Sequence, residues 1–406
     1  MRPADVVVVG GGVIGCACAS ELASRGLVVT LVERESLAAG ASGRNHGLLL
    51  VPTEPRLVPM ARLALESYLH LAEDPPLPLG LDTDPRGLLI VATDDREAAG
   101  ARAEAEAAAA CGVRVERLVG TDLSRSEPRL APDLVEGWLL HDGRLVDPAS
   151  LTVALALQAR AAGAEILRNL PVRSLLMEGE VVRGVATDDG PIESNTVVVA
   201  AGPWSDRLLR PIGIDLPVIT ARGWLVRMGP APGLLQHVVE GAGWHSVPGE
   251  DPMPPVLAGQ VARDETGPLL GSVLQQNPDG TILAGSSRQG VHSSEPEDHS
   301  IPGEIARRAV RLVPDLDDVR VLGSWWGLRP MTPDALPIVG VLTEGLVVAT
   351  GHGSFGVSLA AGTAPLVAAA ITGEAPPFDP DPFRPGRFPV KVEAAPVAGA
   401  PGSHRV

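Results

Sequence analysis

Four residues near the start of the chain have the types and spacing needed to hold a dinucleotide. Three glycines follow the pattern Gly10-x-Gly12-x-x-Gly15, and an acidic residue, Glu33, follows about 20 residues later. Gly10 allows a tight turn, Gly12 lets a pyrophosphate approach the backbone, and Gly15 lets a helix pack closely on a strand. The carboxylate of Glu33 can accept hydrogen bonds from both hydroxyls of an adenosine ribose, and it would repel a 2′-phosphate. The pattern therefore predicts a dinucleotide site and disfavours NADP.

The elements that must position these residues occur around them in the right order. The apolar run Val6–Val9 is typical of a strand buried on both faces, and a helical pattern follows the glycines as far as Gly26. A second apolar strand is predicted over Leu27–Val32, with Glu33 at its end. The glycine motif alone would be weak evidence in a chain with 46 glycines, but the N-terminus of the helix also offers unpaired N–H groups to a phosphate. The predicted site includes the neighbouring residues Val13, Ile14 and Arg34.

Composition and charge limit the partners that the chain is expected to bind. It has 33 Lys and Arg against 49 Asp and Glu, which gives a formal net charge of −16. Nucleic acid or an anionic membrane would need a basic face, so neither is predicted as a partner. A chain of 406 residues is too long for one ordinary core, so two domains are expected.

The cysteines and the longest apolar span predict neither a metal site nor a membrane segment. The chain has three cysteines, and the spacing of Cys16, Cys18 and Cys111 is not that of a zinc site. The uncharged span Gly345–Gly373 is long enough to cross a bilayer, but it contains a proline and several glycines and is mostly alanine. It is predicted to be a buried strand and helix. Because the chain begins almost at its first strand, no signal peptide and a cytoplasmic location are expected.

The rest of the chain is predicted to contribute alternately to two domains. A strand over Gly87–Thr93 and an alanine-rich helix over Asp94–Cys111 begin the second domain. The apolar segment Asn195–Trp204 ends in small residues, which suits a close approach to a cofactor, so it returns to the first domain. Residues 217–323 are interpreted as strand-like, with an irregular loop over 230–268 near the active site. The predicted first domain comprises residues 1–74, 143–215 and 324–388, the second comprises 75–142 and 216–323, and 389–406 form a disordered tail.

Further motifs follow the N-terminal unit in a fixed order. They are GASGRNHG, DGRLVDPASL, VVVAAGPWSDRLL and the pair GLRPMTPDALPIVG with TGHGSFGVSLAAG. In these motifs the chain resembles the FAD-dependent D-amino-acid oxidase superfamily, which includes glycine oxidase, sarcosine oxidase and D-amino-acid dehydrogenase. The resemblance covers nearly the whole chain, about residues 5–375, and is weakest over about 225–285, the region expected to shape the substrate pocket.

This resemblance implies an α/β fold and an FAD cofactor. The expected fold is a discontinuous, glutathione-reductase-like FAD-binding Rossmann domain with a second α+β substrate domain built on a mixed sheet. NAD is disfavoured because the later glycine motifs would have no role in a simple dehydrogenase. Beyond the N-terminal unit, the residues that the resemblance places at FAD are Ser42, Arg44, Asn45, His46, Gly47, Val172, Ala201, Gly202, Trp204, Gly327, Arg329, Gly351, His352, Gly353, Ser354, Phe355 and Gly356.

Two residues are expected from the resemblance to act in catalysis, Arg329 and His352. The arginine of the GLRP motif would bind the substrate carboxylate, a bidentate task that suits a planar guanidinium, unless it pairs with Asp334 or with backbone. The turn His352–Gly356 would direct N–H groups at the flavin edge where negative charge develops. Backbone suffices for this, so a direct role of the His352 side chain stays open. Hydride transfer from the substrate Cα to flavin N5 needs positioning, and no general base is predicted.

The mode of FAD attachment is narrowed by the cysteine positions. Some relatives attach the flavin through a histidine near the GASGRNHG loop, and others through a cysteine late in the chain. No cysteine follows Cys111, so His46 is the one residue left for a covalent bond. Non-covalent binding is favoured over attachment at His46.

Two departures from the family affect the expected chemistry. Tyr68 is the only tyrosine and lies in a predicted first-domain helix, so the pocket tyrosines of D-amino-acid oxidase are expected to be absent. Arg222, Trp224, Trp244, His245 and Arg288 are candidates to replace them. Relatives of the sarcosine oxidase type use a lysine at the flavin to react with oxygen, whereas the one lysine here, Lys391, lies in the predicted tail. A dehydrogenase with an unknown acceptor is therefore slightly favoured over an oxidase, although an arginine could substitute for the lysine.

The predicted function is the oxidation of a small molecule that carries a carboxylate. The C–N bond of an amino acid or N-alkyl amino acid would be oxidised to an imine, which water then hydrolyses. One alternative is a 2-hydroxy-acid or polyol dehydrogenase, because the carboxylate arginine would serve both reactions. The other is a flavin-carrying subunit that passes electrons to a partner in a hetero-oligomeric complex.

Overall fold

The computed structural model describes residues 4–242, 269–290 and 297–388, which form two large sheets and their covering helices. The predicted tail at 389–406, with Lys391, lies outside the described residues. The strands are β1 (Ala4–Val9), β2 (Val29–Val32), β3 (Leu48–Leu49), β4 (Leu88–Ala92), β5 (Val115–Leu118), β6 (Glu136–Leu140), β7 (Arg144–Leu145), β8 (Glu165–Leu167), β9 (Val172–Glu178), β10 (Val181–Thr187), β11 (Gly190–Val199), β12 (Ile219–Met228), β13 (Val238–Gly241), β14 (Leu269–Gln276), β15 (Ile282–Gly290), β16 (Val321–Met331), β17 (Ile338–Thr343) and β18 (Leu346–Thr350). The helices are α1 (Val13–Ser24), α2 (Val58–Leu71), α3 (Asp95–Ala110), α4 (Thr121–Ser126), α5 (Pro148–Ala161), α6 (Ser205–Leu209), α7 (Ile301–Leu312) and α8 (Gly356–Thr372).

The first sheet is built on the predicted N-terminal strand. Its order is β17-β18-β11-β1-β2-β8, parallel except for β17, and β9 and β10 continue antiparallel from β11. The run Val6–Val9 is buried on both faces, as the unbroken apolar sequence predicts. Helices α1, α5 and α8 pack together over one face of this sheet. The carboxyl ends of β1, β2, β11 and β18 therefore meet at one edge, where ligands bind in open α/β sheets.

The apolar span near the C-terminus forms β18 and α8. Within the described ranges, the segment Gly353–Thr372 is the one helix long and apolar enough to cross a membrane, and 67% of its most apolar stretch is buried inside the protein. It packs against α1 and α2 in the main core. The span thus has the predicted form of a buried strand and a buried helix.

The second sheet is mixed, as predicted. Its order is β16-β12-β15-β14-β13-β4-β6-β5, and its pairs are antiparallel except for β13 with β4. Helix α3 packs over β4 and β6, and α7 packs over the opposite face of β12, β14 and β15. The predicted α/β fold with a second mixed sheet is confirmed.

Two details of the second sheet differ from the sequence interpretation. Strand β16 pairs with β12 from Val321 to Met331, so the domain boundary drawn at residue 324 falls inside a strand, and a boundary after Met331 fits the pairing better. Helix α7 lies in the region interpreted as strand-like. It buries Ile301, Ile305 and Ala309 at four-residue spacing, a helical period that the surrounding prolines and glycines obscure.

Candidate functional site

A cavity of about 460 Å³ lies between the carboxyl ends of the first sheet and one face of the second sheet. Its size is that of a small-molecule or cofactor site. At one end it is lined by the turn after β1, the end of β2 and the segment after β11. At the other end it is lined by β12, β16 and the turn before α8. The face of the second sheet that borders the cavity is called the cavity face below.

The glycine turn between β1 and α1 has the backbone geometry that the motif predicts. Gly10 has φ +117°, and a Cβ atom built on it would lie 2.5 Å from the carbonyl oxygen of Ala200. A Cβ atom on Gly15 would lie 1.9 Å from the carbonyl oxygen of Gly10. Gly10, Gly12, Val13 and Ile14 line the cavity, whereas Gly15 lies behind them, where it lets α1 approach the turn.

Glu33 is fixed at the end of β2 by backbone donors. Its Oε2 accepts a hydrogen bond of 2.6 Å from the N–H of Gly11, and its Oε1 accepts one of 2.8 Å from the N–H of Glu35. Each carboxylate oxygen keeps a second lone pair. Because Glu33 lines the cavity, these lone pairs can accept hydrogen bonds from ribose hydroxyls.

An arginine and a tryptophan form a stack beside Glu33. The guanidinium carbon of Arg34 lies 3.8 Å from the ring centre of Trp204, a cation–π distance. Both side chains line the cavity, together with the predicted residues Val172, Ala201 and Gly202. The sequence analysis missed Arg173 and Arg207, which line the same end, although Arg207 lies within the motif VVVAAGPWSDRLL.

The loop after β2 is folded by one asparagine. The side-chain amide of Asn45 donates to the carbonyl oxygens of Ala41 and Ser42, at 2.8 and 3.0 Å, and its Oδ1 accepts a hydrogen bond from the N–H of Gly47. Ser42 also reaches α1, because its hydroxyl accepts a hydrogen bond of 2.9 Å from the N–H of Val13. Ser42, Arg44 and Asn45 line the cavity, but His46 and Gly47 do not.

His46 is enclosed between this loop and the second sheet. Its Nδ1 lies 2.9 Å from Oε1 of Gln275, and its buried Nε2 has no hydrogen-bond partner in the part of the chain that the structure describes. Burial lowers the pKa of His46 to about 4, against the opposing effect of the Gln275 hydrogen bond, and the positive charge of Arg329 lowers it further. The ring is therefore neutral at pH 7.

Arg329 crosses the cavity face of the second sheet. From β16 it reaches over β12 to β15, where Nη1 donates to the carbonyl oxygen of Ser287 at 3.2 Å and Nη2 donates to Oγ of Ser286 at 3.0 Å. Burial, and then the positive charge of Arg288, lower its pKa to about 10, so it stays charged at pH 7. No carboxylate of residues 4–242, 269–290 and 297–388 forms an ion pair with it. Asp334, the alternative partner considered from sequence, pairs with Arg387 instead, at 2.7 Å.

A glycine of β12, Gly223, lets Arg329 lie against the sheet. Gly223 of β12 is directly opposite Gly327 of β16, and both line the cavity. A Cβ atom on Gly223 would lie 1.9 Å from Nη1 of Arg329. The sequence analysis did not single out Gly223. Because side chains alternate along a strand, a Gly223 that faces the cavity places Arg222 and Trp224 on the opposite face of the sheet.

Of the residues considered as replacements for the missing tyrosines, those that the structure describes lie on different faces of the second sheet. Arg222 and Trp224 lie on the face that packs against α7; the guanidinium of Arg222 is 5.1 Å from the ring centre of Trp326 there. Arg288 lies on the cavity face and donates to Oγ of Ser354 at 3.4 Å. Trp244 and His245 lie outside the described residues. Tyr68 is buried in α2, where its hydroxyl donates to the carbonyl oxygen of Val357 at 2.8 Å. It does not line the cavity.

The turn before α8 closes the other end of the cavity. His352, Gly353, Ser354 and Gly356 line it, but Gly351 and Phe355 do not. The His352 ring is buried, with Nε2 3.0 Å from the hydroxyl of Thr363 in α8, and burial lowers its pKa to about 3. The geometry thus favours a backbone role for this turn over a direct role for the His352 side chain.

Comparison with known proteins places this arrangement in a family. Residues 5–370 match the model of the DAO family, described as FAD dependent oxidoreductase. The chain is 31% identical to the glycine oxidase of Geobacillus kaustophilus, with 93% of this chain and 96% of the relative covered. It is 27% identical to the D-amino acid dehydrogenase of Paramagnetospirillum magneticum, with 91% and 95% covered. A crystal structure of glycine oxidase from G. kaustophilus matches with a TM-score of 0.81 at 27% identity, over 96% of this chain and all of that one.

Proposed function

This chain belongs to the DAO family of FAD-dependent oxidoreductases, and we propose that it oxidises the C–N bond of an amino acid or N-alkyl amino acid. The observation that carries the proposal is Arg329, a buried cation at the end of the cavity opposite Glu33. The names of the relatives, glycine oxidase and D-amino acid dehydrogenase, support an amino-acid substrate.

The residues around the cavity fit FAD. Gly10 and Gly12 leave the backbone bare at the start of α1, and the first N–H groups of a helix have no intrahelical acceptors and attract a pyrophosphate. Glu33 would present carboxylate lone pairs to the adenosine ribose. When bound, FAD supplies a hydride acceptor for the substrate carbon. We propose non-covalent binding of FAD, because the His46 ring is hydrogen-bonded to Gln275 and does not line the cavity.

The proposed task of Arg329 is to hold the substrate carboxylate. A guanidinium has five N–H donors, and two of its nitrogens already bond to Ser286 and Ser287, which fix its plane. The remaining donors can form charge-assisted hydrogen bonds with a carboxylate. Burial makes these bonds stronger than they would be in water. A substrate held in this way would have its Cα oriented for the reaction.

Positioning, rather than proton transfer by a side chain, is the proposed basis of catalysis. Burial lowers the pKa of His46 to about 4 and that of His352 to about 3, which makes both rings weak bases, and the His352 ring is also engaged with Thr363. Neither is therefore proposed as a general base. The turn 353–356 would contribute backbone N–H groups at the start of α8, where the helix dipole favours negative charge.

Flavin reduction in the absence of oxygen tests the proposal. Amino acids, N-alkyl amino acids and 2-hydroxy acids are added in turn to the purified protein, and the loss of flavin absorption is followed. Arg329→Ala is expected to lower kcat/KM by about 30-fold to several thousand-fold, because removing one partner of a buried charge pair costs about 2–5 kcal/mol. Arg329→Lys keeps the charge without the planar fork and should recover only part of the loss.

The outcomes separate the candidate functions. Reduction by hydroxy acids alone would replace the amino-acid assignment with a hydroxy-acid dehydrogenase. A second chain that co-purifies and is needed for turnover would favour a flavin-carrying subunit.

We also propose that the enzyme transfers electrons to an acceptor other than oxygen, since no lysine lies among the described residues; rapid reoxidation of the reduced flavin by oxygen would contradict this. The expected cytoplasmic location stays a prediction.

A further inference from the structure

The loop 41–47, which follows β2, contacts the second sheet beside Arg329. Nη1 of Arg44 donates to the carbonyl oxygen of Trp326 in β16 at 3.2 Å. The loop also lies close to Gly327, where a Cβ atom would be 3.2 Å from Cβ of Arg44 and 3.5 Å from its carbonyl oxygen. Gly327 is two residues before Arg329 in the same strand. The loop is therefore fastened to the strand that carries Arg329.

His46 fastens the same loop to the second sheet on the other side of the Arg329 guanidinium. Its Nδ1 lies 2.9 Å from Oε1 of Gln275 in β14, and its Nε2 lies 2.8 Å from the position that a Cβ atom on Gly285 of β15 would take. Gly285 precedes Ser286, whose Oγ accepts a hydrogen bond from Arg329. Because the strand order is β16-β12-β15-β14, the two attachments of the loop bracket the side chain of Arg329.

A chain of hydrogen bonds fixes the direction of the bond between His46 and Gln275. The hydroxyl of Thr281 donates to Oδ1 of Asp279 at 2.6 Å, and the hydrogen bonds from Thr281 lower the pKa of Asp279, which is therefore an ionised acceptor at pH 7. Since its proton is used there, Thr281 can only accept from Nδ2 of Asn277, 3.1 Å away. Oδ1 of Asn277 then accepts from Nε2 of Gln275 at 2.9 Å. Oε1 of Gln275 is left as an acceptor, so Nδ1 of His46 carries the proton.

The loop also reaches the proposed pyrophosphate site. The hydroxyl of Ser42 accepts a hydrogen bond of 2.9 Å from the N–H of Val13 at the start of α1. Ser42 and Asn45 line the cavity, and Asn45 folds the loop by three side-chain hydrogen bonds. One short, internally bonded loop therefore joins the cofactor end of the cavity to both sides of Arg329.

We propose that Arg44 and His46 are positioning residues that hold Arg329 at a fixed place relative to the cofactor end of the cavity, by tying the loop 41–47 to the second sheet on both sides of it. This inference rests on the proposed function, and it gives His46 a role other than flavin attachment. In this role both residues act through Arg329. Loss of either attachment would let the sheet shift against the loop, and the substrate carboxylate would then be held out of place.

A double-mutant cycle on the FAD-loaded enzyme tests the inference. Arg44→Ala and His46→Ala should each lower kcat/KM by about 10- to 100-fold, the upper value being the cost of displacing a positioning group by about 1 Å. In an Arg329→Ala background the same substitutions should lower kcat/KM by less than about twofold, because the residue through which they act is gone. Arg44→Lys and His46→Asn keep an N–H donor near the original atom and should recover most of the loss.

Arg308 provides a matched control, because it also bonds to a backbone carbonyl oxygen of the second sheet. It lies in α7 on the opposite face, and its Nη1 donates to the carbonyl oxygen of Leu270 in β14 at 3.0 Å. Arg308→Ala removes an arginine bond to the same sheet without touching the loop 41–47. It should therefore leave kcat/KM unchanged.

The outcomes distinguish this inference from the proposed function. Losses that add to that of Arg329→Ala, or that excess FAD reverses, would overturn the inference, as would wild-type kcat/KM in both alanine variants. In each of these cases the proposed amino-acid oxidation would survive. Reduction of the flavin by no amino acid at all would overturn the proposed function and this inference with it.

Discussion

Replacing Gly223 by alanine would displace Arg329 without changing any charge. Gly223 lies under the Arg329 guanidinium, and a Cβ atom there would be 1.9 Å from Nη1, 2.7 Å from Cζ and 2.8 Å from Nη2. Real Cβ atoms essentially never come within 3.0 Å of such neighbours. The guanidinium must therefore move by at least 1.1 Å, the difference between 3.0 and 1.9 Å.

The expected cost falls on activity rather than on stability. The clash involves the far end of a flexible side chain, so the pairing of β12 with β16 should persist, and the stability change should stay below about 1 kcal/mol. A misplacement of about 1 Å in a positioning group costs about 100-fold in rate. At about 1.36 kcal/mol for each tenfold, this corresponds to about 2.7 kcal/mol of transition-state stabilisation.

The assay is kcat/KM from anaerobic flavin reduction, with the thermal midpoint measured on the same samples. Gly323→Ala is the matched control, because Gly323 is on β16 of the same sheet and a Cβ atom there would meet nothing within 4 Å. The control should behave like the wild type. If Gly223→Ala folds, binds FAD and keeps the wild-type kcat/KM, the position of Arg329 against the sheet is not what holds the substrate, and the reasoning is refuted.

Three further substitutions test the cofactor turn, the buried histidine and the single tyrosine. Gly15→Ala should yield protein without flavin, measured as the flavin-to-protein ratio, because the new Cβ would lie 1.9 Å from the Gly10 carbonyl oxygen; normal loading would contradict the close packing of α1. Because burial lowers the pKa of His46 from 6.5 to about 4, the unfolded chain binds a proton that the native state excludes, and through this ring the native state should lose about 2 kcal/mol of stability between pH 7.5 and pH 5, apart from the similar loss through His352. His46→Gln should remove this loss in urea unfolding at the two pH values, and an unchanged pH dependence would show that His46 is not neutral in the native state. Tyr68→Phe should lower the free energy of unfolding by about 1–2 kcal/mol through the lost bond to Val357, and any fall in kcat/KM would place the tyrosine in the chemistry after all.

The cofactor end of the site could be predicted because its signals are local. The β1 strand, the glycine turn, α1 and Glu33 lie within one short stretch, and each has a propensity that agrees with its neighbours. Burial of Val6–Val9 on both faces follows from the unbroken apolar run.

The substrate end depends on pairings between distant segments, which no local pattern encodes. Gly223 has meaning only once β12 pairs with β16 and brings Arg329 over it, more than a hundred residues along the chain. The environment of His46 is made by Gln275, which no motif marked. The boundary predicted at residue 324 lies just before the GLRP motif, but backbone pairing extends β16 on both sides of it. The family resemblance thus identified Arg329, whereas the contacts that hold its side chain in place depend on the pairing of strands in the second sheet.

The paired glycines Gly223 and Gly327 also constrain how this pocket can change. Where a pocket wall is made of side chains, shortening them creates space for larger ligands. Here the wall beneath Arg329 is already bare backbone, so substitution can only fill it. Laboratory evolution toward bulkier substrates would have to proceed through Ser354 and the other side chains that line the cavity, whereas one methyl group added at Gly223 would lower kcat/KM about 100-fold.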